Sequence, residues 1–225
     1  MITFKCRHTP QEIILQCVRW YCAYALSYRN IEEIMAERGL SIDHSTLNRW
    51  VIKYAPLLEQ VFHKKKKRTG DRWRLDEAYI TVKGQWKYYY RSVDKQGNTI
   101  DFLLTAKRDK KAALRYLNKA IIRNGKPGLI NIDKSGSNKA SIKQFNDDNN
   151  RRIKIRQCKY LNNIIEQDHR RVKRITRNML GFKSFDSAQN TLAGIELMSM
   201  INKGQMKKNL SSIMSPADHF YALAL

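Results

Sequence analysis

RWRLDEAYITVKGQWKYYYRSVDKQGNTIDFLLTA, residues 72–106, reads as three consecutive β-runs. β-Branched and aromatic residues fill RWRLDEAYITV and QWKYYYRSVD, a Lys-Gly pair separates them, and KQGN leads into TIDFLLTA. The pattern predicts an antiparallel meander with short turns. Beyond it the period changes. DKKAALRYLNKAIIRNG has helical spacing and ends at Gly125, KPGLINID is a short buried strand ending at Asp133, and a polar stretch reads as helical in part. RRIKIRQC then supplies a fifth strand, and KYLNNIIEQDHRRVKR, residues 159–174, a helix.

Three antiparallel strands followed by helix, strand, helix, strand, helix is the order of an RNase H-like α/β core. In that arrangement a parallel pair extends the meander, the first strand lies beside the fourth, and the mixed five-stranded sheet carries helices. The topology makes a claim about acids. Asp76 falls in the first strand and Asp133 at the carboxyl end of the fourth, so the two should be neighbours. Glu166 projects from the last helix toward the same sheet. Three clustered carboxylates repel one another and call for a cation, and hard oxygen donors select Mg²⁺ or Mn²⁺ over zinc. Two such ions about 4 Å apart can activate an attacking oxygen and stabilise a leaving one at a phosphodiester.

Each acid also has a plain structural reading. Glu77 adjoins Asp76, and strand alternation sends the two to opposite faces; Ala78, Ile80 and Val82 share the face of Asp76 and mark it as inward. Asp133 before Lys-Ser-Gly-Ser-Asn could be a turn-forming Asx residue, and Glu166 an intrahelical partner of Arg170. Glu166 and Asp168, two positions apart, lie about 200° apart around a helix, so only one can face the sheet. Taking that one as Glu166 puts His169, Arg170 and Lys173 on its side, where they would bracket a phosphate, and turns Asp168 outward to pair with Arg171.

The amino-terminal part is helical. TPQE at 9–12 reads as a capping box opening an apolar helix, Asn30 with Glu33 as the cap of a short helix closed by Gly39, and HSTLNRWVIKYA as a second short helix with Leu47, Trp50 or Val51, and Tyr54 buried. Two short helices joined by a tight turn form a helix-turn-helix, or more plainly a small bundle with a solvated face. In the first case His44, Ser45, Thr46, Asn48, Arg49 and Lys53 face a DNA groove. HKKKKRTGD, residues 63–71, reads as a basic linker. The chain carries 43 Lys and Arg against 20 Asp and Glu, a formal net charge of +23, and the partner expected of such a surface is a nucleic acid. No run approaches a membrane span, so a cytoplasmic protein with no membrane partner is expected. Cys6 with His8 is at most half a zinc site.

SYRNIEEIMAERGLSIDHSTLNRWVIKYAP, WRLDEAYITVKGQWKYYYRSVDKQGNTIDFLL, KYLNNIIEQDHRRVKR and LGFKSFDSAQNTLAGIELMSMINKGQ together resemble the bacterial insertion-sequence transposases of the DDE superfamily, in the insertion sequence six group related to retroviral integrases. The resemblance implies that Asp76, Asp133 and Glu166 are the catalytic, metal-holding triad. It also implies that the helix-turn-helix recognises terminal inverted repeats. The reaction implied is strand cleavage giving a 3′ hydroxyl and attack of that hydroxyl on target DNA, fusing replicons. The stretch between Asp133 and Glu166 is slightly shorter than is commonest in the group, a small trim around Asn146 to Asn150.

The expected organisation is a helix-turn-helix domain at 1–62, a linker at 63–71, the catalytic core at 72–180 and a helical extension at 181–225. In the extension Leu192, Ile195, Leu197, Met198 and Ile201 form a core or dimer-packing stripe. A homodimer on double-stranded DNA is expected from the resemblance, with no small-molecule substrate. A non-catalytic DNA-binding regulator, a decayed transposase and a hydrolytic nuclease that never joins ends are the alternatives.

Overall fold

A computed structural model describes residues 2–4, 8–133, 136–150, 152–179, 181–207 and 214–225. Cys6 lies outside them, as does Arg151 at the start of the expected fifth strand. The chain forms two compact units, Arg68–Arg170 and a second one built from residues 1–67 together with 171–225.

In the first unit, β1 (Arg72–Val82), β2 (Gln85–Val93) and β3 (Thr99–Thr105) form the meander, with β4 (Leu129–Ile132) and β5 (Lys154–Gln157) beyond. The order is β3-β2-β1-β4-β5, antiparallel across β1, β2 and β3 and parallel across β1, β4 and β5. This is the RNase H-like sheet. Lys83, at φ 51°, and Gly84, at φ 71°, make the left-handed turn between β1 and β2. Helices α4 (Lys110–Asn124) and α5 (Gly136–Asp148) bury one face of the sheet, where Trp73, Leu75, Tyr90, Ile130 and Ile132 pack with Tyr116 and Phe145. Asp109 caps α4 by accepting from the Ala112 N–H, and Gly125 at φ 82° ends it as the sequence pattern anticipates. The trimmed stretch is the end of α5 and a turn in which Asn150 takes φ 46°, a conformation Asn tolerates. A 3-10 turn (Lys159–Asn162) and α6 (Asn163–Thr176) follow.

In the other unit, α1 (Gln11–Ala23), α2 (Tyr28–Ala36) and α3 (His44–Lys65) are joined by α7 (Phe185–Asn202) and α8 (Pro216–Tyr221). Three local expectations change here. Pro10 precedes α1 with no side-chain cap, and Ser27, not Asn30, caps α2: Ser27 and Asn30 form a reciprocal capping box, with Asn30 as its third helical residue. The second helix is not short. Helix α3 runs through Pro56 and on to Lys65 because Leu58 and Phe62, both 0% exposed, continue the buried stripe of Leu47, Val51 and Tyr54. That burial offsets the roughly 3 kcal/mol penalty of an interior proline.

The boundary expected at residue 62 therefore falls within a helix, and Lys67 bonds back to Gln205. Residues 181–225 are no appendage either. Helix α7 is buried from Thr191 through Ile201, packs on α1 and α3, and fills the core of this unit. Gly194 permits that approach, since a Cβ there would lie 2.9 Å from the Ala55 Cβ and collide with the Cys22 Sγ.

Candidate active site

β1 continues to Val82, whereas β4 stops at Ile132, so the sheet has a notch beside the second half of β1. The last paired residues are Arg74 and Asn131. Carrying that register two residues further sets Asp76 beside Asp133, as the topology predicts. Their carboxylates do approach, and a third joins them: Asp76, Glu77 and Asp133 each present an oxygen within 4.8 Å of the others. Alternation should have sent Glu77 to the far face. With β4 ended there is no strand to block it, and its longer side chain reaches the notch, where it is paired with Arg108 at 3.4 Å and has its side chain 3% exposed. The other cluster of this kind among the described residues, Glu32 on α2 with Asp43 and His44 at the start of α3, is mostly exposed.

Electrostatics follow from the crowding. Burial, helped by the like charges of Glu77, Asp133 and Glu166, pushes the Asp76 carboxyl up to about 7, and burial likewise raises Glu77 against the pull of Arg108. Glu166, exposed in the first turn of α6, stands outside the 4.8 Å cluster but near enough for its charge to act on Asp76.

Helix α6 departs from expectation at the next residues. Asp168 does not turn outward to Arg171. Its Oδ2 accepts from Nη2 of Arg91 at 2.7 Å, with the Arg91 side chain 0% and the Asp168 side chain 10% exposed. Arg91 is the register partner of Asp76 on β2. A buried guanidinium demands a counter-charge more strongly than a surface pair can reward one, and this fixes the rotation of α6. Arg171 instead reaches the Ser199 carbonyl at 3.5 Å. The same rotation buries His169, 5% exposed, and removes it from the expected phosphate-facing set, while Arg170 and Lys173 remain exposed. Beneath α6, Arg74 donates to the Leu161 carbonyl at 2.8 Å, and Asn131 donates to Asn162 at 2.6 Å, tying the helix start to β1 and β4.

On α3, Leu47, Trp50, Val51 and Tyr54 are buried. His44, Ser45, Arg49 and Lys53 are exposed, and Thr46 and Asn48 half-buried. His44 Nδ1 lies 3.1 Å from Glu32, and Arg49 donates to Thr46 at 2.7 Å.

The strand order and the acids gathered in the notch of its parallel pair define an RNase H-like core of the DDE class. A family model described as a DDE domain matches residues 70–205. The transposase for the insertion sequence-like element IS431mec of Staphylococcus aureus is 40% identical over 206 residues, covering 89% of this chain and 88% of that protein. The transposase for insertion sequence element IS257 in transposon Tn4003 of the same species matches over the same length at the same identity. Among solved structures, the HTLV-2 integrase catalytic core domain in complex with magnesium is 14% identical, covering 70% of this chain and 98% of that one at a TM-score of 0.47. The chain belongs to the insertion-sequence DDE transposases, in the insertion sequence six group.

Proposed function

We propose that this chain binds the terminal inverted repeats of its insertion sequence, cleaves a strand to leave a 3′ hydroxyl, and directs that hydroxyl onto target DNA, fusing replicons. The observation that carries the reading is the approach of Asp76 and Asp133 within 4.8 Å across two parallel strands, with Glu166 acting electrostatically on Asp76, in a chain 40% identical to named transposases.

Clustered, half-buried carboxylates fit a divalent cation, because ionising them together without one is unfavourable and their oxygens match hard metals. Asp76, Asp133 and Glu166 would hold Mg²⁺ or Mn²⁺, two ions in the full reading, and such ions polarise a phosphodiester and lower the pKa of an attacking oxygen. Glu77 serves differently in this reading: committed to Arg108, it holds a positive group beside the acids. Arg170 and Lys173, exposed after Glu166 on α6, bind phosphates of the strand being cut. Helices α2 and α3 act as a helix-turn-helix, with Ser45, Thr46, Asn48, Arg49 and Lys53 toward the groove and His44 oriented by Glu32. A homodimer would hold the two ends, and a DNA-bound cytoplasmic protein follows. Among the described residues no helix is long and apolar enough to cross a membrane.

The test is a replicon-fusion assay in cells, with the gene and its native flanks on one plasmid, against Glu166→Gln in the same setting. Fusions with the parent sequence and at least a hundredfold fewer with the variant are expected, in line with the loss of a group that acts directly on the reacting centre. Flank binding without fusions by the parent would instead favour the binding-only regulator.

A further inference from the structure

The β1–β2 hairpin carries an aromatic surface that the cleavage chemistry leaves unused. Trp86 is 65% and Tyr79 46% exposed, unusual for such large side chains outside a contact surface. They form one patch. Tyr79 packs edge-on to Trp86 at 6.1 Å between ring centroids and tilts against its register partner Tyr88 at 5.5 Å. All three side chains stand on the α4 side of the sheet, the side on which Tyr90 stacks on Tyr116.

The patch adjoins the carboxylate notch. Glu77 precedes Tyr79 by two residues on the same strand face, and Glu77 is paired with Arg108 at 3.4 Å. Its border is basic. The Thr105 hydroxyl donates to the Lys107 carbonyl at 2.9 Å and lies 3.3 Å from the Tyr88 carbonyl, which ties Lys107 to β2 at Tyr88; Arg108, Lys110 and Lys111 follow it in the chain, all exposed, and Lys83 lies at the hairpin tip. From Ala78 through Val93 the sequence has no acidic residue.

Exposed rings bordered by cations suit a polyanion that also offers flat apolar faces. A duplex hides those faces in its stack, whereas unpaired nucleotides present them, and aromatic stacking takes any base. We propose that Tyr79, Trp86 and Tyr88 are a stacking platform for unpaired DNA bases next to the scissile phosphate, with Lys107, Arg108, Lys110 and Lys111 holding the adjoining backbone. This rests on the reading that a DNA strand enters the notch. It adds that the strand is locally unpaired there.

The test compares two oligonucleotides on the purified full chain in EDTA, so that no cleavage is required: a blunt duplex carrying the inverted repeat, and the same duplex with a short unpaired tail. Trp86→Ala should weaken binding of the tailed DNA by between about fivefold and about 150-fold, the span of one stacked base, and leave the blunt duplex within about twofold. Trp86→Phe should restore most of the loss. An unpaired 5-iodouracil should photo-crosslink to Trp86 or Tyr79. Trp86 is exposed, so its replacement should not shift the thermal midpoint, which is recorded alongside. Equal weakening on both DNAs, no weakening, or a self-association in sedimentation that disappears with Trp86→Ala would each overturn the proposal, the last assigning the patch to a second copy. Asp76→Asn separates this from the proposed reaction: it should abolish fusion while the preference for tailed over blunt DNA persists, whereas loss of that preference in Trp86→Ala implicates the platform.

Discussion

Asp76 and Asp168 illustrate how single charges set the behaviour of the site. A carboxyl raised to about 7 in the folded protein holds a proton that the unfolded chain releases near pH 4, so the metal-free fold is favoured at low pH and loses stability as the pH climbs through about 7. The thermal midpoint without divalent cation should therefore fall by several degrees between about pH 5 and about pH 8. Asp76→Asn should flatten most of that slope, and millimolar Mg²⁺ should counter it in the parent chain; calorimetry across the range reads both. Asp168→Ala poses the opposite problem, a guanidinium left buried without its carboxylate. It should cost about 3–5 kcal/mol in urea unfolding, with Asp168→Asn retaining part of the contact. The sequence pattern pointed to the aspartates because strand order alone makes them neighbours. It could not show Glu77 entering the notch, since that depends on where β4 ends, nor Asp168 turning inward, since its partner Arg91 lies far away in the chain and no local rule joins them.

Elements were legible where their signals were local. β1 is the run RWRLDEAYITV to the residue, α4 begins after its Asp cap and ends at Gly125, and β4 stops just before Asp133. Misreadings arose where tertiary packing carried an element beyond its local pattern, as α3 beyond Ala55, or where two caps competed, as at Ser27 and Asn30. The crossing of α7 over α1 and α3 is the tightest contact argued from packing. Gly194→Val should force the helices apart and cost about 1–3 kcal/mol or more, read as a lowered denaturant midpoint, whereas a similar change at the exposed Gln60 should be nearly silent.

At the scale of the whole molecule, charge and connectivity govern. A net charge of +23 makes attraction to DNA general, so discrimination must come from the shape and chemistry of particular faces. The charge was evident in composition, whereas the pairing of the chain's two ends in one unit was not, because contacts between residues so far apart leave no trace in any local pattern. That pairing bears on biosynthesis. Helices α1, α2 and α3 emerge from the ribosome well before α7, the core helix that they pack on, because the whole of the other unit lies between them in the chain. The intervening unit Arg68–Arg170 can close on its own during translation, while the amino-terminal helices wait with apolar faces uncovered. A message broken or terminated before α7 thus yields a chain with a complete carboxylate notch and an uncored amino-terminal bundle, the state that proteases clear most readily. Synthesis through α7 becomes a condition for the bundle to fold, a form of proofreading written into the order of the chain.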